Sequence, residues 1–239
     1  MIPIRDTIKS RTFPFVTLAL IGANILVFLH EISLPPDTMR QFAHTWGVVP
    51  ARITGGRLGS PDTMQNYASL FTSMFLHGGW LHLLGNMWIL WLFGDNIEDR
   101  FGHVRYLGFY VLCGVCSMLG HLALNPASTV PTLGASGAIA GVMGAYFLLF
   151  PLASIVVVIP IFFYPFFTEV PAVIFLLLWI TMQVMSGAAT LSEGSAQAGG
   201  VAFWAHVAGF AVGLAVAIVW RINNRHKHTV ERRAFRSRR

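Results

Sequence analysis

Between Tyr106 and Trp220 the chain runs for 115 residues without a lysine or arginine, and its only acids there are Glu169 and Glu193. So little charge cannot coat a surface that faces water, but it suits one that faces lipid. Across all 239 residues 55% are hydrophobic and 11% charged, where a soluble domain carries about a quarter charged residues. The mean hydropathy of +0.63 agrees. Two cysteines exclude a disulfide scaffold, and no polar or repetitive stretch suggests a disordered region or a repeat array. The composition predicts one membrane bundle.

Apolar runs bounded by polar, proline or glycine residues predict six helices near 13–32, 79–97, 104–124, 134–150, 168–187 and 201–220. Arg5, Lys9 and Arg11 precede the first, and eight of the 16 basic residues follow the last, between Arg221 and Arg239. The positive-inside bias puts both termini in the cytoplasm, as an even number of spans requires. Arg100 and Arg105 then lie inside, while the 125–133 and 188–200 loops lie outside. Arg40, Arg52 and Arg57 in the long first external loop oppose this assignment, but long loops vote weakly. The expected organisation is a basic cytoplasmic N-terminus at 1–12, a membrane domain at 13–220 and a basic cytoplasmic tail at 221–239. The tail directly follows an apolar helix, so it reads as an anchor on anionic lipid and not as a nucleic-acid site. No small-x-small cleavage site follows His30 and Glu31, so the first apolar run reads as a helix and not a signal peptide.

Polar residues inside a bilayer are costly and usually functional. Those within the spans are His82 and Asn86 in the second helix, Ser136 at the head of the fourth and His206 in the sixth. All three helices enter from the outer side, and at about 1.5 Å per residue Asn86 lies roughly 11 Å and His206 roughly 8 Å below the helix starts. The fourth helix, Gly134 to Phe150 before Pro151, is too short to cross, at roughly 25 Å against a hydrocarbon core near 30 Å. Its outer end must sink, taking Ser136 to the depth of His206 and Asn86. Non-helical backbone at Pro131 to Gly134 then has to face protein or water, which implies a wet cavity opening outward. Gly137, Gly141 and Gly144 border Ser136, while Gly209 and Gly213 follow His206 on one helix face. Glycine seams let helix backbones approach closely, so Ser136 Oγ can meet the His206 imidazole within hydrogen-bond reach.

With these residues in view, the chain resembles the rhomboid family of intramembrane serine proteases. The matching elements are Gly134-Ala135-Ser136-Gly137, His82-Leu83-Leu84-Gly85-Asn86, and Ala205-His206-Val207-Ala208-Gly209 with Gly213, together with the Gly94 to Gly102 loop containing Glu98. The resemblance implies a rhomboid-like bundle of six transmembrane helices with a Ser136–His206 dyad and no cofactor or metal. It also implies that His82, Asn86 and the Ser136 backbone N–H bind the oxyanion. It further implies substrates that are transmembrane segments of other proteins, cut near their outer ends, in a bacterial or archaeal inner membrane. The fifth helix and the 188–200 loop would act as gate and cap. Where some family members carry Tyr four residues after the serine, this chain has Ala140. Support for the His206 ring then falls to Trp204, Phe203 or Phe210.

The alternative within the family is an inactive scaffold that binds client helices, which usually lacks the serine or histidine. A transporter would place its polar cluster at the midplane, between inverted repeats that this chain lacks. There is neither H-E-x-x-H nor a pair of intramembrane aspartates. Cys113 and Cys116 form C-x-x-C within a helix and without a second pair, which speaks against a zinc or redox site. His77 reads as a hydrogen-bonding residue that steadies the first loop, and His121 has no evident partner. Trp80, Trp88, Trp91, Trp179 and Trp220 read as interface and packing aromatics.

Overall fold

The computed structural model describes residues 2–55, 63–161, 164–192 and 202–236. The chain is mainly helical. Strand β1 (Ile2–Asp6) leads into α1 (Phe15–Ser33). The first loop folds into α2 (Pro36–Trp46), α3 (Pro50–Ile53), α4 (Thr63–Thr72) and a 3-10 turn (Ser73–Phe75). Then come α5 (Trp80–Phe101), α6 (His103–Leu124) and α7 (Ser136–Leu149), followed by β2 (Ser154–Ile161), β3 (Tyr164–Pro171), α8 (Ala172–Ser192) and α9 (Phe203–Arg236).

Among the described residues four helices are long and apolar enough to cross a membrane: Phe15–Ser33, His103–Leu124, Ala172–Ala189 and Phe203–Asn224. The other two helices of the expected bundle differ from these for physical reasons. Helix α5 carries Asp95, Glu98, Asp99 and Arg100 in its last two turns, and α7 has only 14 residues, or about 21 Å. Helix α7 is the central element. From Gly137 to Tyr146 every residue is buried, because it is surrounded by α5, α6 and α9.

Small residues permit that centrality. A Cβ on Gly209 would collide with the Gly137 carbonyl oxygen, and one on Gly213 with that of Gly141, so α7 and α9 touch backbone to backbone. Gly144 meets the Phe210 carbonyl in the same way, and Cys113 of α6 packs on Gly141. Both cysteines are free. Helices α5 and α6 are joined at Gly102, whose φ of +79° is a conformation that side chains rarely adopt. Glu98, fully buried, accepts hydrogen bonds from the backbone N–H of Val16 (2.9 Å) and Thr17 (2.8 Å) and from the Thr17 hydroxyl (2.7 Å). These satisfy donors that the first turn of α1 leaves open.

The structure corrects the all-helical expectation. Strands β1, β2 and β3 form an antiparallel sheet in that order. Ile155 to Ile159 is an uninterrupted β-branched run, and Pro160 and Pro165 cannot donate to a helical ladder, so residues 154–171 pair as a hairpin. The fifth bundle helix therefore begins at Ala172 and not near 168. Strand β1 runs along α5: Trp88 Nε1 donates to the Pro3 carbonyl (2.6 Å), and Asn96 Nδ2 (2.8 Å) and the Tyr146 hydroxyl (2.5 Å) donate to the Asp6 carboxylate. Burial pushes the Asp6 carboxyl up to about 6.

Candidate active site

Ser136 is the first residue of α7, at the point where an extended approach turns into helix. Val48 and Thr132 pair as an isolated bridge, and the Gly134 N–H donates to the Ser73 carbonyl at 2.8 Å, which pins the approach to the first loop. Gly134 has φ +124°. A Cβ there would lie 2.7 Å from His82 Nε2, so glycine is required both by the backbone and by the neighbouring imidazole. Among the described residues no side chain caps α7. Its first amides, that of Ser136 included, have no partner within the helix and sit at the positive end of its dipole.

The glycine seam brings α9 against this helix start. His206, 7% exposed, places Nε2 2.8 Å from Ser136 Oγ. The two side chains are 70 residues apart in sequence and within direct hydrogen-bond distance. The other ring nitrogen, Nδ1, lies 2.7 Å from Oε1 of Gln183 on α8. One turn earlier on α8 is Trp179, whose ring centroid is 5.8 Å from that of His206 with 35° between the planes, and Phe210 packs on Trp179 at 6.3 Å.

Among the described residues the aromatic ring in contact with His206 is Trp179, with Phe210 behind it. Trp204 packs instead on Gly187. Sequence reasoning missed Gln183, although a usable signal was present. It is a polar side chain within an apolar span, and the criterion that selects Asn86 selects Gln183 as well.

His82 and Asn86 stand one turn apart on α5 and face the Gly134 bend. The Cβ position of Gly134 is 2.7 Å from His82 Nε2 and 3.6 Å from Asn86 Nδ2. The Gly78 N–H approaches His82 Nδ1 at 3.4 Å, an arrangement that puts the ring hydrogen on Nε2, facing the bend. His77, buried, holds Asn86: its Nε2 is 2.9 Å from Asn86 Nδ2. Burial, with His82 alongside, pushes the His77 imidazole down to about 4, so a neutral ring accepts one amide hydrogen of Asn86 and leaves the other for the bend. The His77 backbone N–H donates to Glu31 at 3.1 Å. His77 thus serves the site as well as the loop. His121 also has partners: its Nε2 lies 3.1 Å from Thr132 Oγ1 and its Nδ1 3.4 Å from Asn125 Nδ2, which steadies the strand leading into Ser136.

All four residues singled out from sequence thus converge on one bend, with a hydroxyl against an imidazole on one side and two N–H donors on the other. Of the 188–200 loop, residues 193–200 lie outside the described residues, as does Arg57.

A family model for the Rhomboid domain matches residues 64–222, which runs from α4 into α9 and includes His82, Asn86, Ser136, Gln183 and His206. Among curated proteins, a putative rhomboid protease of Bacillus subtilis, YdcA, is 32% identical over 136 residues, covering 57% of this chain and 62% of that protein. The rhomboid protease GluP of the same organism is 37% identical over 91 residues, 38% of this chain and 17% of GluP. Rhomboid-like protease 5 of Toxoplasma gondii is 38% identical over 97 residues, 37% of this chain and 11% of its own length. The match spans less than two thirds of each relative. Helices long enough to cross a bilayer, the bend they enclose and the domain match together place the chain in the rhomboid family of multi-pass membrane proteins.

Proposed function

We propose that the protein is an intramembrane serine endopeptidase that hydrolyses peptide bonds in transmembrane segments of other membrane proteins, with Ser136 as nucleophile and His206 as general base. The observation that carries this reading is the 2.8 Å contact between Ser136 Oγ and His206 Nε2. A serine hydroxyl is a weak nucleophile until a neighbouring base takes its proton. The neutral imidazole receives that proton as Oγ bonds to the scissile carbonyl carbon. The carbonyl oxygen, now negative, sits at the α7 N-terminus and accepts hydrogen bonds from the Ser136 N–H, His82 Nε2 and Asn86 Nδ2. Collapse of the tetrahedral intermediate breaks the C–N bond, and Nε2 returns the proton to the leaving amine. Water, deprotonated by the same imidazole, then releases the acyl group from Oγ. Each oxyanion donor is worth about 2.7–4 kcal/mol, so Asn86→Ala slows the reaction roughly 10²–10³-fold without abolishing it.

In this reading α1, α5, α6, α7, α8 and α9 form six membrane passages, with residues 13–220 as the membrane domain and residues 1–12 and 221–239 as basic cytoplasmic ends. The bend opens toward the extracytoplasmic face of a bacterial or archaeal inner membrane. The short α7 supports a submerged, water-accessible site, since its 14 residues leave its start below the surface. Ser136→Ala and His206→Ala, reconstituted in proteoliposomes with a single-pass test substrate, are each expected to lose cleavage while keeping the wild-type melting temperature. Cleavage retained by either variant overturns the dyad. Cleavage lost by neither chelator treatment nor metal depletion is the companion expectation.

A further inference from the structure

The contact on the far side of the imidazole has no place in the Ser136–His206 pair. Resting on the peptidase reading above, we infer that Gln183 is a positioning residue for His206: its side-chain oxygen fixes the ring's tautomer and plane, which makes the working unit Ser136–His206–Gln183.

The argument follows from hydrogen-bond capacities. To take the Ser136 proton, Nε2 must present a lone pair, so a neutral ring must carry its hydrogen on Nδ1. The group facing Nδ1 then has to be an acceptor. Gln183 Oε1, at 2.7 Å, is one. Were the ring hydrogen on Nε2 instead, Nδ1 would turn a lone pair toward the Gln183 oxygen and Nε2 would have no lone pair for the proton of Ser136. With its oxygen turned toward Nδ1, the amide favours the tautomer that functions as a base. The ring it holds is largely buried, with His206 only 7% exposed. Trp179, four residues before Gln183, lies on the same face of α8 and packs beside the imidazole at 5.8 Å, so one helix supplies both the acceptor and the shelf. No acid takes part. Among the described residues the ring's hydrogen-bond partners are Ser136 and Gln183 and its ring neighbour is Trp179, none of them a carboxylate.

This arrangement ties the base to the least embedded span. In α8 17% of the span is buried within the protein, against 28–39% in the other three. A displacement of α8 therefore withdraws Gln183 and Trp179 from the imidazole together.

The test compares Gln183→Leu, which keeps bulk and removes the acceptor, with Gln183→Glu, which keeps an oxygen at the same reach. Both are reconstituted as full chains with the single-pass substrate, beside wild type and Ser136→Ala. Because Gln183 touches the base and not the substrate, Gln183→Leu is expected to lower kcat roughly 10²-fold with KM unchanged within about twofold. Gln183→Glu should recover most of that loss, and both melting temperatures should match wild type. Nitrogen NMR of labelled histidine should show the ring hydrogen on Nδ1 in wild type and a mixture of tautomers in Gln183→Leu. Wild-type kcat in Gln183→Leu, or a change confined to KM, overturns the positioning role while leaving the dyad standing. Cleavage by Ser136→Ala, or none by wild type, overturns the dyad and this inference with it.

Discussion

Gly209→Ala adds one methyl group where α9 meets α7, and its consequence can be worked out from the seam. The new Cβ points at the Gly137 carbonyl oxygen, which belongs to backbone and has no rotamer to escape into. Carbon and oxygen need roughly 3.5 Å, so the helices must part by on the order of 1 Å. His206 is three residues before Gly209 and Ser136 is next to Gly137, so the separation falls directly on their 2.8 Å contact. A retreat of about 1 Å takes that contact beyond hydrogen-bond range. Misplacement on this scale costs about 10²-fold in rate, and overpacking the seam costs about 1–3 kcal/mol in stability. The assay is cleavage of a single-pass substrate in proteoliposomes, with thermal unfolding measured on the same preparations. Gly108→Ala is the control, since nothing stands within 4 Å of its Cβ position. Wild-type turnover in Gly209→Ala would refute the claim that the seam sets the dyad distance, as would an equal loss in Gly108→Ala.

Gly134→Ala should abolish cleavage even though Ser136 and His206 are untouched, because the residue would be strained at φ +124° and its Cβ would press on His82 at 2.7 Å; turnover within tenfold of wild type contradicts this. Glu98→Ala should destabilise the chain by on the order of 3 kcal/mol, since it leaves the first N–H groups of α1 and the Thr17 hydroxyl without their acceptor. Thermal unfolding measures the loss, and a shift no larger than that of a surface substitution would dismiss the capping role. Asp6 gives a pH dependence with a definite sign. Its folded-state pKa of about 6 lies above the ordinary 3.8, chiefly through burial, so between these values the folded chain holds a proton that the unfolded chain has lost. Its contribution to stability is therefore greatest below about pH 4 and declines as pH rises through 6. Melting temperatures of wild type and Asp6→Asn should diverge in that sense over the window, and parallel curves would show that Asp6 does not titrate differently on folding.

The mainly helical architecture, and the grouping of the candidate residues at one bend, were legible in the sequence because the bilayer enforces simple rules. Charge exclusion marks the spans, a short helix reveals its own depth, and glycines at helical spacing announce which backbones meet. Those rules place Ser136 and His206 on facing seams. They failed where apolar sequence has more than one use. Ile155 to Ile159 falls between the predicted helices, and its pairing with Ile2–Asp6 depends on a partner about 150 residues away that no local pattern discloses. The helices α2 to α4 of the first loop are not among the predicted spans because each is short, 4 to 11 residues. Gln183 carried a usable signal as a polar side chain in an apolar span, whereas the reach of His77 beyond its loop to Asn86 rests on a single hydrogen bond that has no sequence spacing to betray it.

The central claim is that the His206 imidazole activates the Ser136 hydroxyl. Its most direct test is intact-mass analysis of a fluorophosphonate reaction in proteoliposomes, comparing wild type, Ser136→Ala and His206→Ala. The account predicts a single adduct on Ser136 in wild type and none in either variant over the same interval. An adduct on another residue, or labelling of Ser136 at an undiminished rate without His206, would contradict it.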